Sequence, residues 1–192
     1  MIEPEVAAAH AIFQRRGIGY VVIGGQAIAR SAATATRDVD VMVATADFRR
    51  TVDALRAETG LAFDWEDGPL ARFRLLALGG VPLDVLDAAT FAGRRTGAEF
   101  YRYLLDDAST ESEGVRFAAP ELVWYTRLMT KRWRAYAEKI VTNVIDGVPA
   151  SRLDLVEAIG RRFGTERELA DRLAYVREEL ARPEVRSLED RR

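Results

Sequence analysis

The segment Arg37 to Val43, Arg-Asp-Val-Asp-Val-Met-Val, restricts the possible folds more than any other stretch of the 192-residue chain. Successive side chains of a strand point to opposite sides. The alternation therefore predicts a strand with Val39, Val41 and Val43 on one face and Asp38, Asp40 and Met42 on the other. The valine face requires a core to cover it. The acidic face brings two carboxylates together, and their repulsion is a cost that a bound cation removes. An isolated Asp-x-Asp is more often an exposed charged sheet face than a ligand set, so its neighbours decide the reading.

Upstream, Tyr20 to Ile23 reads as a buried strand that Gly24-Gly25 breaks before a short helix through Ala27-Ile28-Ala29. At such a turn backbone N–H groups can approach a phosphate with no Cβ in the way. Downstream, Arg72 to Leu78 and Val81 to Leu86 read as two strands joined by Gly79-Gly80, a two-residue hairpin signal, with Pro82 predicting an unpaired or edge position. Asp84 sits in the middle of the second strand as Leu83-Asp84-Val85, where a buried unpartnered acid is expensive. Helices are predicted from Glu3 to Arg16, closed by Gly17, from Thr45 to Glu58, ended by Gly60, and from Glu99 to Leu105. Val115 to Phe117 gives one more short strand.

Beyond that strand the pattern turns wholly helical. A long helix is predicted from Pro120 to about Arg134, a second from Tyr136 to Ile145, a third capped by Ser151, and a fourth opened by a Thr165/Glu168 capping box and ended by Pro183. On one long helix Arg127, Lys131 and Arg134, at i, i+4 and i+7, would share a basic face. Trp124, Tyr125, Trp133 and Tyr136 flank these charges; aromatic residues at helical spacing more often pack a core than stack on a base.

The chain has no cysteine and a single histidine, His10. That excludes disulfides, thiolate catalysis and Cys or His zinc sites, so any metal must be held by carboxylates, the chemistry of Mg²⁺ or Mn²⁺. The N-terminal Met1-Ile2-Glu3-Pro4-Glu5 carries acid where a secretory signal carries base, and no 18-residue apolar run exists, which together predict a cytoplasmic protein. A formal net charge of -2 argues nothing about nucleic acid, but the basic stretch from Arg127 to Lys139 leans towards RNA.

Ile23-Gly24-Gly25, Asp38-Val39-Asp40 and the later Asp84, in that order, resemble the nucleotidyltransferase superfamily related to DNA polymerase β. Ile23-Gly24-Gly25-Gln26-Ala27 and Thr36-Arg37-Asp38-Val39-Asp40-Val41 are similar to small bacterial members of the AbiEii toxin type. Pro120-Glu121-Leu122, Arg127-Leu128 and Lys139-Ile140-Val141-Thr142-Asn143-Val144 echo that branch's helical half, with Arg127 in place of Lys, and Ile140 and Asn143 in place of acids. Thr34 stands where an Arg often precedes the Thr-x-Asp step, a difference for which Arg30 or Arg37 could compensate.

The resemblance implies an α/β (α+β) fold with a mixed sheet and flanking helices, followed by a C-terminal helical bundle. The catalytic domain would span 1–108, a helical domain 118–183 and a loose tail 184–192. It implies transfer of a nucleoside monophosphate from an NTP, ATP among the options, to an acceptor hydroxyl, with pyrophosphate released. Asp38, Asp40 and Asp84 would hold two metal ions roughly 3.5–4 Å apart, Asp84 also being a candidate base. Gly24, Gly25, Arg37, Arg127, Lys131, Arg134 and Lys139 would bind the nucleotide, with Gln26 or Ser31 adding a hydrogen bond. The acceptor would be tRNA or protein for a toxin-like enzyme with a cognate antitoxin, or a small molecule such as an aminoglycoside. A noncatalytic nucleotide-binding or partner-binding module of the same fold is the alternative.

Overall fold

The computed structural model describes residues 4–31, 38–66, 72–78, 81–88, 97–183 and 185. Arg37, Thr34, the Gly79-Gly80 turn and nearly all of the tail from 184 lie outside them. The described residues form two compact units, one comprising Met1–Ala27 with Ala35–Ala119 and the other Ile28–Thr34 with Pro120–Arg192.

The first unit is built on a seven-stranded mixed sheet. Helix α1 (Pro4–Arg16) leads to β1 (Tyr20–Ile23), and α2 (Gly24–Ala29) begins directly at its end. Then come β2 (Val39–Val43), α3 (Thr45–Thr59), β3 (Phe63–Glu66), β4 (Arg72–Leu78), β5 (Val81–Asp87), α4 (Gly97–Asp106), β6 (Ser109–Ser112) and β7 (Val115–Ala118). The spatial order is β3-β4-β5-β2-β1-β7-β6. Strand β2 lies at the centre, antiparallel to β1 and parallel to β5.

One face of this sheet carries the core. Val39, Val41 and Val43 are fully buried there with Val22, Leu75, Leu83, Val85, Val115 and Phe117. Helix α1 covers them with Val6, Ala9, Ile12 and Phe13, and α3 with Phe48, Val52 and Leu55. The positive φ of Gly17 and Gly60 lets both helices stop where the sequence predicts. Gly17 N–H donates to the Gln14 carbonyl and Ile18 N–H to that of Phe13, which uses carbonyls the helix end leaves unpaired.

The sequence does not predict β3 or β6. The β6–β7 hairpin turns on Glu113-Gly114, both at positive φ, so a glutamate occupies a position where Asn or Asp would have signalled the turn. Pro82 lies in an interior strand, β5 between β4 and β2, but at an unpaired position, as its missing N–H predicts. Leu78 pairs with Val81, but the next pair is Leu75 with Leu83. Two residues of β4 therefore stand against Pro82 alone, a bulge that accommodates a residue with no N–H to donate.

The second unit contains α5 (Pro120–Leu128), α6 (Trp133–Ile145), α7 (Arg152–Arg162) and α8 (Glu166–Ala181). The predicted helix from Pro120 to Arg134 is two helices. Both the N–H and the hydroxyl of Thr130 donate to the Arg127 carbonyl, at 3.3 and 2.9 Å, just past the end of α5. The predicted capping box is not formed either. Thr165 N–H donates to the Gly160 carbonyl, its hydroxyl lies 3.2 Å from the Tyr125 hydroxyl, and Glu168 pairs with Arg172. Ser151 stands at the N-cap of α7 without a side-chain cap bond. Among the described residues no helix is long and apolar enough to cross a membrane.

The core assignment has a direct consequence for stability. Leu55 is fully buried and Leu155 is 47% exposed. Leu55→Ala is expected to lower unfolding free energy by about 2–5 kcal/mol, and Leu155→Ala by less than about 0.5 kcal/mol, as read by urea denaturation.

Candidate active site

The face of the sheet opposite the valine core carries charge. Across the parallel β2–β5 pair Asp40 is in register with Asp84, and across the antiparallel β4–β5 pair Asp84 is in register with Arg74. Three ionic side chains thus stand side by side on three neighbouring strands. Asp38, two residues before Asp40, joins them as strand alternation requires. One carboxylate oxygen from each of Asp38, Asp40 and Asp84 lies within 4.8 Å of the others.

Asp84 is only 3% exposed. Its charge is compensated by Arg74, whose Nε donates to Oδ1 and Nη2 to Oδ2, each at 2.6 Å. This is the bidentate fork that matches a guanidinium to a carboxylate. Nη2 also stands 3.8 Å from Asp38 Oδ2. The hydrogen bonds to Asp84 raise the Arg74 pKa further above its usual range; the charges of Asp84, Asp38 and Asp40 add to this, and partial burial opposes it. Arg74 is a fixed positive charge within the cluster.

Sequence reasoning missed Arg74, and the bulge explains why. A regular hairpin closed by Leu78 and Val81 would set Leu75 against Asp84. The extra residue opposite Pro82 shifts the register by one, so Arg74 meets Asp84 and Leu75 turns into the core. Pro82 inside a strand was the available signal.

Gly24 shapes the other side of the cluster. It follows Ile23, the β1 partner of Asp40, and has φ +69°. A Cβ built on it would lie 2.0 Å from Asp40 Oδ2 and 2.8 Å from Cγ. Glycine is needed here twice over, for the left-handed backbone and to leave room for the Asp40 carboxylate. Gly25 and the nearly buried Gln26 follow in α2, and Ser31 N–H donates to the Ile28 carbonyl.

Of the other predicted nucleotide-binding residues, Arg37 lies outside the described residues, and Arg127, Lys131, Arg134 and Lys139 belong to the second unit. Arg127 is in α5, Lys131 in the connecting turn, and Arg134 and Lys139 in α6, so the expected basic face of a single helix does not exist. Arg127 is half-buried; its Nη1 donates to Asn143 Oδ1 at 3.3 Å and its guanidinium lies 5.8 Å from the Tyr136 ring centre. Lys139 approaches the same ring at 5.5 Å. Asn143 is buried and also accepts from Trp124 Nε1 at 3.3 Å. Trp124 and Tyr125 are fully buried and belong to the core. His10 Nδ1 lies 2.6 Å from the Tyr20 hydroxyl, a packing role in the first unit.

No family model and no curated protein sequence matches the chain. Among solved structures it is similar to the antibiotic-resistance factor ANT(2'')-Ia, at 16% identity and a TM-score of 0.47, covering 92% of this chain and 91% of that one. It is also similar to JHP933 from Helicobacter pylori, at 11% identity and TM-score 0.41, covering 93% and 91%. A third similar structure is terminal uridylyl transferase 4 from Trypanosoma brucei with bound GTP, at 15% identity and TM-score 0.35, covering 82% and 50%. All three TM-scores lie below 0.5.

Gly24 separates backbone strain from site chemistry. Gly17 also has positive φ, but a Cβ there meets nothing within 4 Å. Gly17→Ala should cost about 1 kcal/mol and leave Mn²⁺ binding intact. Gly24→Ala should cost about 2 kcal/mol or more and weaken Mn²⁺ binding, because Asp40 must move. Paired denaturation and Mn²⁺ titrations check both.

Proposed function

We propose that the chain is a metal-dependent nucleotidyltransferase that moves a nucleoside monophosphate from an NTP to an acceptor hydroxyl. The observation that carries this reading is the convergence of Asp38, Asp40 and Asp84. An all-oxygen donor set of three carboxylates suits Mg²⁺ or Mn²⁺. A cation also offsets the mutual repulsion of carboxylates this close, which Arg74 alone does not neutralise. The ordered Gly24-Gly25, Asp38-x-Asp40 and Asp84 pattern adds the resemblance already described.

Asp38, Asp40 and Asp84 would hold the metal. Bound divalent cations would supply electrostatic stabilisation to the triphosphate and lower the pKa of the acceptor hydroxyl. The chain's own residues do the positioning. Gly24 fixes the Asp40 carboxylate at the end of β1, and the β2–β5 register holds Asp84 beside it. In the transfer, the acceptor oxygen forms a bond to the α-phosphorus as the bond to the pyrophosphate oxygen breaks, and the acceptor proton passes to a base, for which Asp84 is the candidate. Each Asp84 oxygen keeps a second lone pair beside its bond from Arg74. Catalysis of this kind is mainly alignment and charge neutralisation.

One observation favours a second reading, a noncatalytic nucleotide-binding module. Arg74 already occupies both oxygens of Asp84, as an internal substitute for a cation would. The basic stretch from Arg127 to Lys139 favours an RNA acceptor, and its division among α5, a turn and α6 keeps protein and small molecules as further arms of the test.

Protein incubated with Mg²⁺ or Mn²⁺ and each α-labelled NTP, offered total tRNA, cell protein or aminoglycosides, is expected to label one acceptor class. Asp40→Ala should reduce transfer by about 100-fold or more. Transfer that survives this substitution contradicts the assignment, and nucleotide binding without transfer to any acceptor selects the noncatalytic module.

A further inference from the structure

We propose that Arg74 is a positioning residue that sets how tightly the carboxylate cluster takes a divalent cation, because it holds both oxygens of Asp84 and keeps a positive charge beside Asp38. The inference rests on the metal-dependent reading of the site.

The geometry is specific. Both hydrogen bonds from Arg74 to Asp84 are 2.6 Å, one to each oxygen, so the guanidinium plane fixes the orientation of the carboxylate. Asp84 is only 3% exposed and cannot exchange this partner for bulk water. The same guanidinium reaches to 3.8 Å from Asp38, so it touches two of the three acids. A guanidinium keeps its proton at any physiological pH, which makes its charge a permanent part of the cluster.

Three carboxylates and one guanidinium leave the cluster less negative than its acids alone would make it. A divalent cation ligated by Asp84 must share that buried carboxylate with Arg74 and sit near a like charge, which solvent screens in part because Arg74 and Asp38 are partly exposed. Arg74 therefore weakens cation binding while stabilising the fold around Asp84. The bulge at Pro82 makes this arrangement possible, since it exchanges Leu75 for Arg74 as the neighbour of Asp84. A salt bridge of purely structural value would support Asp84 without resisting the cation, and that difference can be measured.

The full-length protein, Arg74→Gln and Arg74→Lys are titrated with Mn²⁺, with free ion followed by electron paramagnetic resonance, and unfolded thermally with and without Mn²⁺. Arg74→Gln removes the charge and is expected to tighten Mn²⁺ binding about tenfold. Its metal-free melting temperature should fall, and the rise caused by Mn²⁺ should exceed that of the unsubstituted protein. Arg74→Lys keeps the charge but loses the fork, freeing one Asp84 oxygen, and should bind with intermediate affinity. Equal or weaker Mn²⁺ binding by Arg74→Gln overturns the proposal; if that variant does not fold, equal or weaker binding by Arg74→Lys does so. If the unsubstituted protein binds Mn²⁺ and neither variant binds it more tightly, the metal site stands and the role of Arg74 is lost. If none of the three binds Mn²⁺, both readings fall together.

Discussion

The parallel pairing of β2 with β5 places Asp40 directly beside Asp84, and the rest of the site follows from that register. Like charges on adjacent strands of one sheet face oppose folding unless compensated. The protein meets this requirement from two sides. Arg74, on the next strand, clamps Asp84, while Gly24, at the end of β1, leaves the space that the Asp40 carboxylate fills. On the opposite face Val39, Val41, Leu83 and Val85 lock the same two strands onto α1 and α3. A slip of one residue would move the acids into that core, so packing and site specify a single register.

Much of this was legible in the sequence wherever a period or a special residue exposed the physics. The alternation of residues 38–43 identified β2 and both of its faces, Gly17 and Gly60 marked the ends of α1 and α3, and Asp84 stood out as an acid in an apolar strand. The mixed sheet and the helical second half agree with the expected fold class. Strands β3 and β6 lie at the sheet edges; Phe-Asp-Trp-Glu alternates over only four residues, too short a run to stand out, and Ser-Thr-Glu-Ser has no apolar residue at all. Arg74 was missed for a subtler reason. Its place beside Asp84 depends on a bulge, and counting back from the hairpin names Leu75 instead.

In the second unit the expected long helix from Pro120 to Arg134 is interrupted after Leu128, where the Thr130 N–H bonds to the Arg127 carbonyl three residues back instead of four. Arg127, Lys131 and Arg134 are thereby divided among a helix, a turn and another helix. Among them Arg127 is held by the buried Asn143, which also takes the Trp124 indole N–H. The buried amide at Asn143 thus accepts from two donors without introducing a second charge.

The central claim is that Asp38, Asp40 and Asp84 act together as the ligands of a divalent cation. Anomalous diffraction at the manganese edge, from crystals grown with Mn²⁺ and a non-hydrolysable NTP analogue, tests it most directly. The account predicts an anomalous peak within coordinating distance of all three carboxylates and of the triphosphate oxygens. A bound nucleotide with no manganese peak at these residues, or a peak held by other side chains, would contradict it.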